Sequence, residues 1–436
     1  MSRAEAPTSM RLLVLTCLST VSHGLSNPVA ARHQSIGNVN PVEEHQRWYG
    51  DKMLYKDVSH FFQWWYFFVR DGKGNKICIM LHVTDGQSNS TTDGIYAVVA
   101  LTTQAGGFRK SFYDRYELGQ GAFDGKARAS VDVSDGSGLR HAISATPSGD
   151  SVHITGTLGG RFHWRSEGPD KTDQPSASWN VTLERVRGWY GQELLSPLAR
   201  ALEGIQWNTY AHLSRATGVV IIDGARYEID DGRAYADMNW GMRFPGPDAH
   251  HPKPPASYPW TWMYAPSDSD GYSVIAGTGR VSSWAGDMEG LWLDAYFGEK
   301  HPALQVIWLK RDGLVHAALS SDGLGADVQI TRGGWVERKD EFGAARVPLQ
   351  QNLTVTTSHH VLRMFCSTPE SSIFRLLYPH AGATFSDFES VGASARVQLI
   401  AKAAGETLVD FEEPWNAGVE FGYYASPVQG GRGTMQ

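Results

Sequence analysis

Cysteine and long apolar runs are both scarce in this chain. Three cysteines among 436 residues exclude a disulfide-rich scaffold, and no C-x-x-C pair indicates a thiolate metal site. The apolar run at residues 12–21 has about ten residues, whereas a helix that crosses a bilayer needs about 20. The sequence therefore predicts no integral membrane span in the mature protein.

Blocks of like charge are also absent. Charged residues make up 19% of the chain, the formal net charge is −7, and acidic and basic residues are interspersed. Such a surface offers no electrostatic footprint for a nucleic acid or an anionic membrane. We therefore predict no nucleic-acid partner, and no feature of the sequence indicates an obligatory protein partner.

The common catalytic and metal-binding motifs are missing as well. The sequence contains no G-x-S-x-G elbow, no Walker loop, no dinucleotide-binding glycine motif and no H-E-x-x-H. Adjacent histidines occur at 250–251 and 359–360, but neighbours on a strand point to opposite faces and do not form a ready metal site. A hydrolase or nucleotide enzyme is disfavoured, and we predict neither a metal nor a cofactor.

Glycine and tryptophan, in contrast, are abundant, with 47 and 15 residues. Short segments rich in β-branched and aromatic residues alternate with turn sequences such as Arg-Asp-Gly at 70–72 and 311–313. Only residues 193–203 carry leucines at helical spacing. We therefore predict an all-β fold of barrels or sandwiches, and the length predicts two domains of roughly 200 residues.

The N-terminus has the features of a secretory signal. Two arginines precede the apolar run, and small residues follow it, so residues 1–31 are predicted to be a signal peptide cleaved between 24 and 31. Three sequons, at Asn89, Asn180 and Asn352, agree with the secretory pathway or secretion. After cleavage Cys78 and Cys366 remain, either as one disulfide or as two buried free thiols.

Two aromatic segments predict the domain organisation. FFQWWYFF at 61–68 is followed by a polar turn, and so is the segment YPWTWMYA at 258–265. Between them lies a proline-rich stretch that cannot donate a regular ladder of hydrogen bonds. We therefore predict an N-terminal β domain at 45–245, a linker at 246–257 and a C-terminal β domain at 258–430.

Residues 232–241 form a further informative strand. Because side chains alternate along a strand, Tyr235, Asp237 and Asn239 should share one face. A hydroxyl, a carboxylate and an amide on one face of an aromatic-rich protein indicate a polar site within a pocket. The alternative is a structural role, in which these side chains satisfy backbone groups inside the fold.

Together these segments resemble a known superfamily. The resemblance is carried by two aromatic segments, one polar strand and one late strand. These are Trp64 to Phe67, Trp260 with Trp262, the residues Tyr235, Asp237 and Asn239 to Gly241, and the segment VEFGYY at 419–424. They are similar to motifs of the tandem lipocalin-like proteins, which include tocopherol cyclase, carotenoid hydratases of the hydroxyneurosporene synthase type and fungal Diels–Alderases. The resemblance spans nearly all of the mature chain and implies two lipocalin-like domains in tandem.

Two departures from the family pattern bear on the expected chemistry. Gln63 and Met238 stand where family members often carry ionisable residues. Carbocation chemistry needs a protonating acid, whereas a concerted cycloaddition needs alignment and at most a neutral hydrogen-bond donor. We therefore expect a Diels–Alder-type pericyclase. The alternatives are an acid-catalysed terpenoid or carotenoid cyclase or hydratase with Asp237 as proton donor, and a secreted carrier that does not change its ligand.

The expected site lies between the two domains and takes a hydrophobic polyene or polyketide-derived small molecule. Tyr235 and Gln63 are the candidate hydrogen-bond donors, and Asp237 and Asn239 are the candidate orienting groups. The residues expected to form the substrate-binding wall are Trp64, Trp65, Tyr66, Trp240, Trp260 and Trp262.

Overall fold

The computed structural model describes sixteen segments of the chain: residues 61–85, 94–102, 108–116, 121–124, 128–134, 140–148, 151–158, 162–164, 177–189, 206–241, 261–267, 269–281, 288–311, 313–340, 343–380 and 383–424. The predicted signal peptide, the helical pattern at 193–203 and the linker at 246–257 lie outside these residues. The described segments all belong to one compact unit that begins at Val42.

The described residues of the first half of the chain form a twelve-stranded antiparallel sheet. Its strands are β1 (Phe61–Arg70), β2 (Lys76–Asp85), β3 (Gly94–Thr102), β4 (Phe108–Tyr116), β5 (Gly121–Asp124), β6 (Arg128–Ser134), β7 (Arg140–Ser148), β8 (Ser151–Leu158), β9 (Phe162–Trp164), β10 (Ala177–Trp189), β11 (Gln206–Ile222) and β12 (Ala225–Gly241). They are ordered β5-β6-β7-β8-β10-β11-β12-β1-β2-β3-β4-β9.

The second half forms another antiparallel sheet. Its strands are β13 (Thr261–Ser267), β14 (Tyr272–Val281), β15 (Met288–Tyr296), β16 (Leu304–Arg311), β17 (Leu314–Ser320), β18 (Gly323–Leu324), β19 (Asp327–Asp340), β20 (Gly343–Thr356), β21 (His360–Ser367), β22 (Phe374–His380), β23 (Ala383–Ala401) and β24 (Glu406–Tyr424). Their order is β18-β17-β16-β15-β14-β13-β24-β23-β21-β20-β19, and β22 pairs with β23. A 3₁₀ turn at Glu370–Ser372 precedes β22.

The two halves are built on one plan. In each, the first strand pairs with the last, β1 with β12 and β13 with β24, which curls the sheet toward closure. The all-β prediction, with tandem lipocalin-like domains, is confirmed. The sheets separate between Gly241 and Thr261. The domain limits 45–245 and 258–430 stay predictions.

The aromatic strand β1 is buried on both faces. Trp65, Phe67 and Val69 point into the first hydrophobic core together with residues of β2, β8, β10 and β12. Trp64, Tyr66 and Phe68 point the other way, into a cluster shared with the second sheet. Burying one large apolar side chain contributes roughly 1.5–3 kcal/mol. An uninterrupted aromatic run therefore suits a strand with a core on each side.

The second sheet encloses a core of its own, and the cysteines belong to different clusters. Met263 and Ala265 of β13 face this core, as does Cys366 of β21. Cys78 of β2 lies instead in the cluster between the sheets. Both are buried free thiols. The disulfide alternative is therefore wrong, because the two residues are packed in separate clusters.

Two of the three sequons can be placed in the structure. Asn180 is exposed on β10, where its side-chain oxygen lies 2.7 Å from His153 Nε2. Asn352 is half-buried on β20 and donates to Thr331 Oγ1 at 3.3 Å. Asn89 lies outside the described residues. Glycosylation at these positions stays a prediction.

Candidate functional site

A cluster of aromatic residues joins the inner faces of the two sheets. This interface cluster consists of Trp64, Tyr66, Phe68, Cys78, Met80, Trp207, Tyr235, Trp262, Tyr264, Ile275, Phe374 and Val391, with Trp292 packed against it. The rings make close contacts: Tyr235 lies 5.2 Å from Trp262 and 4.9 Å from Tyr264 between ring centroids. These separations are typical of favourable aromatic pairs.

Strand register places the polar residues of β12 among these rings. Asn239 is opposite Trp64, Asp237 is opposite Tyr66, and Tyr235 is opposite Phe68. Directly opposed residues of an antiparallel pair project to the same side of the sheet. The predicted shared face of Tyr235, Asp237 and Asn239 is therefore present, and it points into the interface cluster.

Asp237 is the centre of a small hydrogen-bond network. Its Oδ2 accepts from Trp207 Nε1 at 2.7 Å and from the Tyr235 hydroxyl at 2.5 Å. Asn239 Nδ2 makes a longer contact of 3.5 Å with Oδ1. Burial raises the pKa of Asp237 to about 7, against the opposing effect of the two donors and with a further increase from the charge of Glu420.

The hydrogen bonds from Trp207 and Tyr235 determine which carboxyl oxygen of Asp237 carries the proton in the acid form. Since Oδ2 accepts two hydrogen bonds, the proton of the acid form belongs on Oδ1. When that proton leaves, the indole and the phenol remain in place to stabilise the carboxylate. The side chain is thus arranged as an acid that exchanges its proton near neutral pH.

Three more carboxyl groups approach from the second sheet. Glu389 of β23 is opposite Glu420 of β24, and Asp387 lies two residues before Glu389 on the same face. The Tyr66 hydroxyl donates to Glu389 Oε1 across the interface. Burial raises the pKa of Asp387 and Glu389 well above the ordinary range, and the charge of Glu420 raises both further.

Two glycines allow indole rings to enter this crowded region. A Cβ built at Gly277 would lie 2.6 Å from the Trp207 ring, and one at Gly418 would lie 2.3 Å from the Trp262 ring. Such distances do not occur for real Cβ atoms without displacement of the neighbour. Gly277 of the second sheet therefore makes room for the indole that donates to Asp237 in the first.

A different polar group also connects the sheets. His212 of β11 lies between Ser273 and Asp294, with 2.9 Å from its Nδ1 to the serine Oγ and 2.8 Å from its Nε2 to Asp294 Oδ2. Arg187 Nη2 is 3.9 Å from Asp294 Oδ1. Burial alone would raise the pKa of Asp294, but attraction to His212 and Arg187 outweighs it and holds the pKa below its ordinary value.

The structure brings together only part of the predicted site. Trp64, Tyr66 and Trp262 join Tyr235, Asp237 and Asn239 in or beside the interface cluster. Trp65 faces the first core instead. Gln63 is also directed to that side, where its amide nitrogen lies 3.1 Å from Met238 Sδ, so it does not reach the Tyr235 side of the sheet. The side chains of Trp240 and Trp260 lie outside the described residues.

Gln63 and Met238 therefore do not determine the charge of the site, contrary to what the sequence predicted. They contact each other on the core side of β1 and β12, opposite to the Asp237 carboxyl. Their lack of charge does not make the interface cluster neutral. The carboxyl groups that matter there come from Asp237 and from the second sheet.

Sequence reasoning missed five participants: Trp207, Gly277, Asp387, Glu389 and Glu420. One signal was present, since Asp387 and Glu389 are two residues apart in the segment SDFES and must share a strand face. The proximity of Glu389 to Asp237 depends on the packing of two sheets, which spacing along the chain does not specify.

No group of three or more His, Cys, Asp or Glu side chains in the described segments is arranged to hold a metal ion. No helix within them is long and apolar enough to cross a membrane.

Comparisons with known proteins give distant structural neighbours. No family model matches the chain, and no curated protein matches it. One neighbour is a Nitrosomonas europaea protein assigned as an AttH. The structural match covers 85% of this chain and 94% of the neighbour, at 14% identity and a TM-score of 0.41. Another neighbour is kievitone hydratase from Nectria haematococca. Here the match covers 89% of this chain and 93% of the neighbour, at 10% identity and a TM-score of 0.39. Similarity at this level does not decide the activity of this chain.

Proposed function

We propose that the protein is an acid-catalysed cyclase or hydratase that acts on a hydrophobic, unsaturated small molecule. The observation that carries this proposal is the Asp237 carboxyl, enclosed by aromatic rings, with its pKa raised to about 7. A general acid is most effective when its pKa lies near the working pH. This is the acid-catalysed alternative of the sequence-based predictions, and it replaces the pericyclase as our preferred function.

In the proposed reaction, the proton on Asp237 Oδ1 is transferred to a carbon–carbon double bond. The hydrogen bonds from Trp207 and Tyr235 stabilise the carboxylate that remains. The cation formed on the substrate would lie among the electron-rich faces of Trp64, Tyr66 and Trp262. Aromatic walls thus supply stabilisation that water would otherwise provide.

The cation must then be neutralised. Loss of a proton to a carboxylate of the second sheet would give a cyclic isomer, and addition of water would give a hydrate. Glu420 suits the role of acceptor because it lies opposite Trp262 and Glu389 in the second sheet. Asn239 Oδ1 is buried and lacks a hydrogen-bond partner among the described residues, so it can orient a substrate hydroxyl.

Deuterium incorporation tests the proposal directly. The purified protein is incubated in D₂O with an extract of a strain that lacks the gene, and products are analysed by mass spectrometry. Protonation by Asp237 places one non-exchangeable deuterium on carbon, and a hydrate also gains the mass of water. A cyclic isomer without carbon-bound deuterium would overturn the proposal and favour a concerted cycloaddition. A bound but unchanged compound would favour a carrier.

A further inference from the structure

A second polar region lies on the face of the first sheet that carries the interface cluster. Arg70 of β1 is opposite Lys76 of β2 and Arg233 of β12, so three cationic side chains occupy one row across the sheet. The next rows along the strands contain Tyr235, Phe68 and Cys78, and then Asp237, Tyr66 and Met80. The cationic row therefore continues the face that contains the candidate acid.

Two of these cations are enclosed. Lys76 is 0% exposed and Arg70 is 6% exposed. Burial and the neighbouring Arg70 charge lower the pKa of Lys76 to about 8, against the opposing effect of the Asp71 charge. Burial likewise lowers the pKa of Arg70. A buried cation is costly unless an anion or several hydrogen bonds compensate it.

The nearby carboxylate Asp71 opposes the lowering of the Lys76 pKa through its charge, but its hydrogen bonds go to other groups. Asp71 accepts from the backbone of Lys73 and Asn75 at 2.9 and 2.7 Å and so holds the β1–β2 turn. Asp231 pairs with Arg233 at 3.2 Å. Within the described segments, Lys76 Nζ has no hydrogen-bond partner.

Groups of the second sheet lie at the same place. The Tyr264 ring of β13 lies 6.1 Å from the ring of Phe68, two residues before Arg70, and interactions with Tyr264 and Glu413 raise the pKa of Arg70. Glu413 also accepts from Asn416 Nδ2 at 3.1 Å. The cationic row is thus covered by the second sheet, as the interface cluster is.

We propose that Lys76 binds the anionic head group, a carboxylate or a phosphate, of an amphiphilic ligand whose apolar chain runs along the interface cluster. This inference rests on the proposed function, because it places the unsaturated chain beside Asp237. Asp237 and Arg233 are four residues apart on β12, about 13 Å at the rise of an extended strand. The ligand therefore carries its reactive double bond about 13 Å from its anionic end.

A fluorescent polyene measures the head-group preference. The probes are cis-parinaric acid and its uncharged methyl ester, titrated into the full-length protein. We expect the acid to bind at least tenfold more tightly than the ester, and Lys76→Met to remove this difference. Lys73→Met, an exposed lysine on the same turn, is the matched control and keeps it. Competition by dodecanoate against dodecyl phosphate then distinguishes a carboxylate site from a phosphate site.

Equal affinities of the wild-type protein for acid and ester would overturn the inference without any variant. A preference that survives in Lys76→Met would overturn it as well. Thermal unfolding with each probe gives a second measure in case the variant folds poorly. Asp237→Asn is expected to keep the preference for the acid, so failure of the proposed chemistry and failure of the head-group site give different results.

Discussion

Two buried aspartates near the contact between the sheets have opposite pKa shifts. Asp237 is surrounded by aromatic rings and receives hydrogen bonds from an indole and a phenol, and its pKa is raised. Asp294 lies beside His212 and Arg187, and its pKa is lowered. Neutral donors only partly offset the desolvation of the Asp237 carboxylate, whereas the attraction to His212 and Arg187 outweighs desolvation at Asp294.

This difference separates a proton donor from a structural anion. Asp294 has a fixed negative charge that helps to hold β11 of the first sheet against β14 and β15 of the second. Asp237 can carry a proton at neutral pH and release it. Substitution of Asp237 should therefore reduce mainly activity. Substitution of Asp294 should reduce mainly the stability of the fold.

The largest expected effect is on turnover in Asp237→Asn. An amide has the shape of the carboxyl group but cannot deliver the proton, so we expect the rate to fall by about 10²–10⁴-fold. The measurement is single-turnover product formation at pH 6. Asp230→Asn, on an exposed position of the same strand, serves as control and should keep the wild-type rate. Equal rates in Asp237→Asn and wild type would remove Asp237 from the mechanism.

Asp294→Asn should instead affect stability. Removing one partner of a buried ion pair typically costs about 3–5 kcal/mol, and here Arg187 and His212 would be left without the carboxylate. Urea unfolding followed by tryptophan fluorescence measures this loss. Asp237→Asn should lose much less stability, since no cation depends on it. A small loss in Asp294→Asn would show that His212 and Arg187 do not require its charge.

The two aspartates also predict opposite dependences of stability on pH. The pKa of Asp237 rises from 3.8 to about 7 on folding, so the folded state holds its proton more tightly. The protonated side chain therefore contributes up to about 4 kcal/mol to the free energy of unfolding. This contribution is present at low pH and is lost as pH rises toward 7. The contribution of Asp294, whose pKa is lowered, is present at neutral pH and is lost as pH falls through its folded-state pKa.

Unfolding free energies at pH 4, 5, 6 and 7 test these signs. The difference between Asp237→Asn and wild type should move in favour of the variant as pH rises. The corresponding difference for Asp294→Asn should be greatest at pH 7 and shrink at the lowest pH. A flat difference for Asp237→Asn would mean that its pKa is close to the ordinary value.

Some of this arrangement was predictable from the sequence, and some was not. The alternation of β12 correctly placed Tyr235, Asp237 and Asn239 on one face, because side-chain direction along a strand is a local property. The same rule separates Gln63 from Tyr66, whereas the prediction of Gln63 as a donor rests on its place before Trp64, where family members often carry an ionisable residue. Alternation would have placed it with Trp65.

The charge of the site was not predictable in this way. Glu389 and Glu420 reach Asp237 only through the packing of β23 and β24 against the first sheet, across about 150 residues or more of chain. The pKa of a carboxyl group depends on this enclosure, which no local pattern encodes. The expectation of a neutral, pericyclic site followed from residues that face a different core.

Gly277→Ala tests whether the second sheet tunes Asp237 through Trp207. The added methyl would displace the indole, whose ring lies 2.6 Å from the Cβ position, and would weaken its hydrogen bond to Asp237. We expect a loss of about 1–3 kcal/mol in stability and a higher apparent pKa in the rate profile. Gly333→Ala, where the added atom meets only the Gln350 side chain, is the control.

The smallest effect is expected for Tyr235→Phe. This change removes one of two hydrogen bonds to Asp237 Oδ2 but leaves the ring packed against Trp262 and Tyr264. The carboxylate is then less stabilised, so the pKa of Asp237 should rise. The pH at which the rate begins to fall, as Asp237 loses its proton, should therefore be higher than in the wild type. The rate at pH 6 should fall by roughly tenfold, equivalent to about 1.4 kcal/mol. A lower rate with an unchanged profile would assign Tyr235 to contact with the substrate rather than to control of the Asp237 proton.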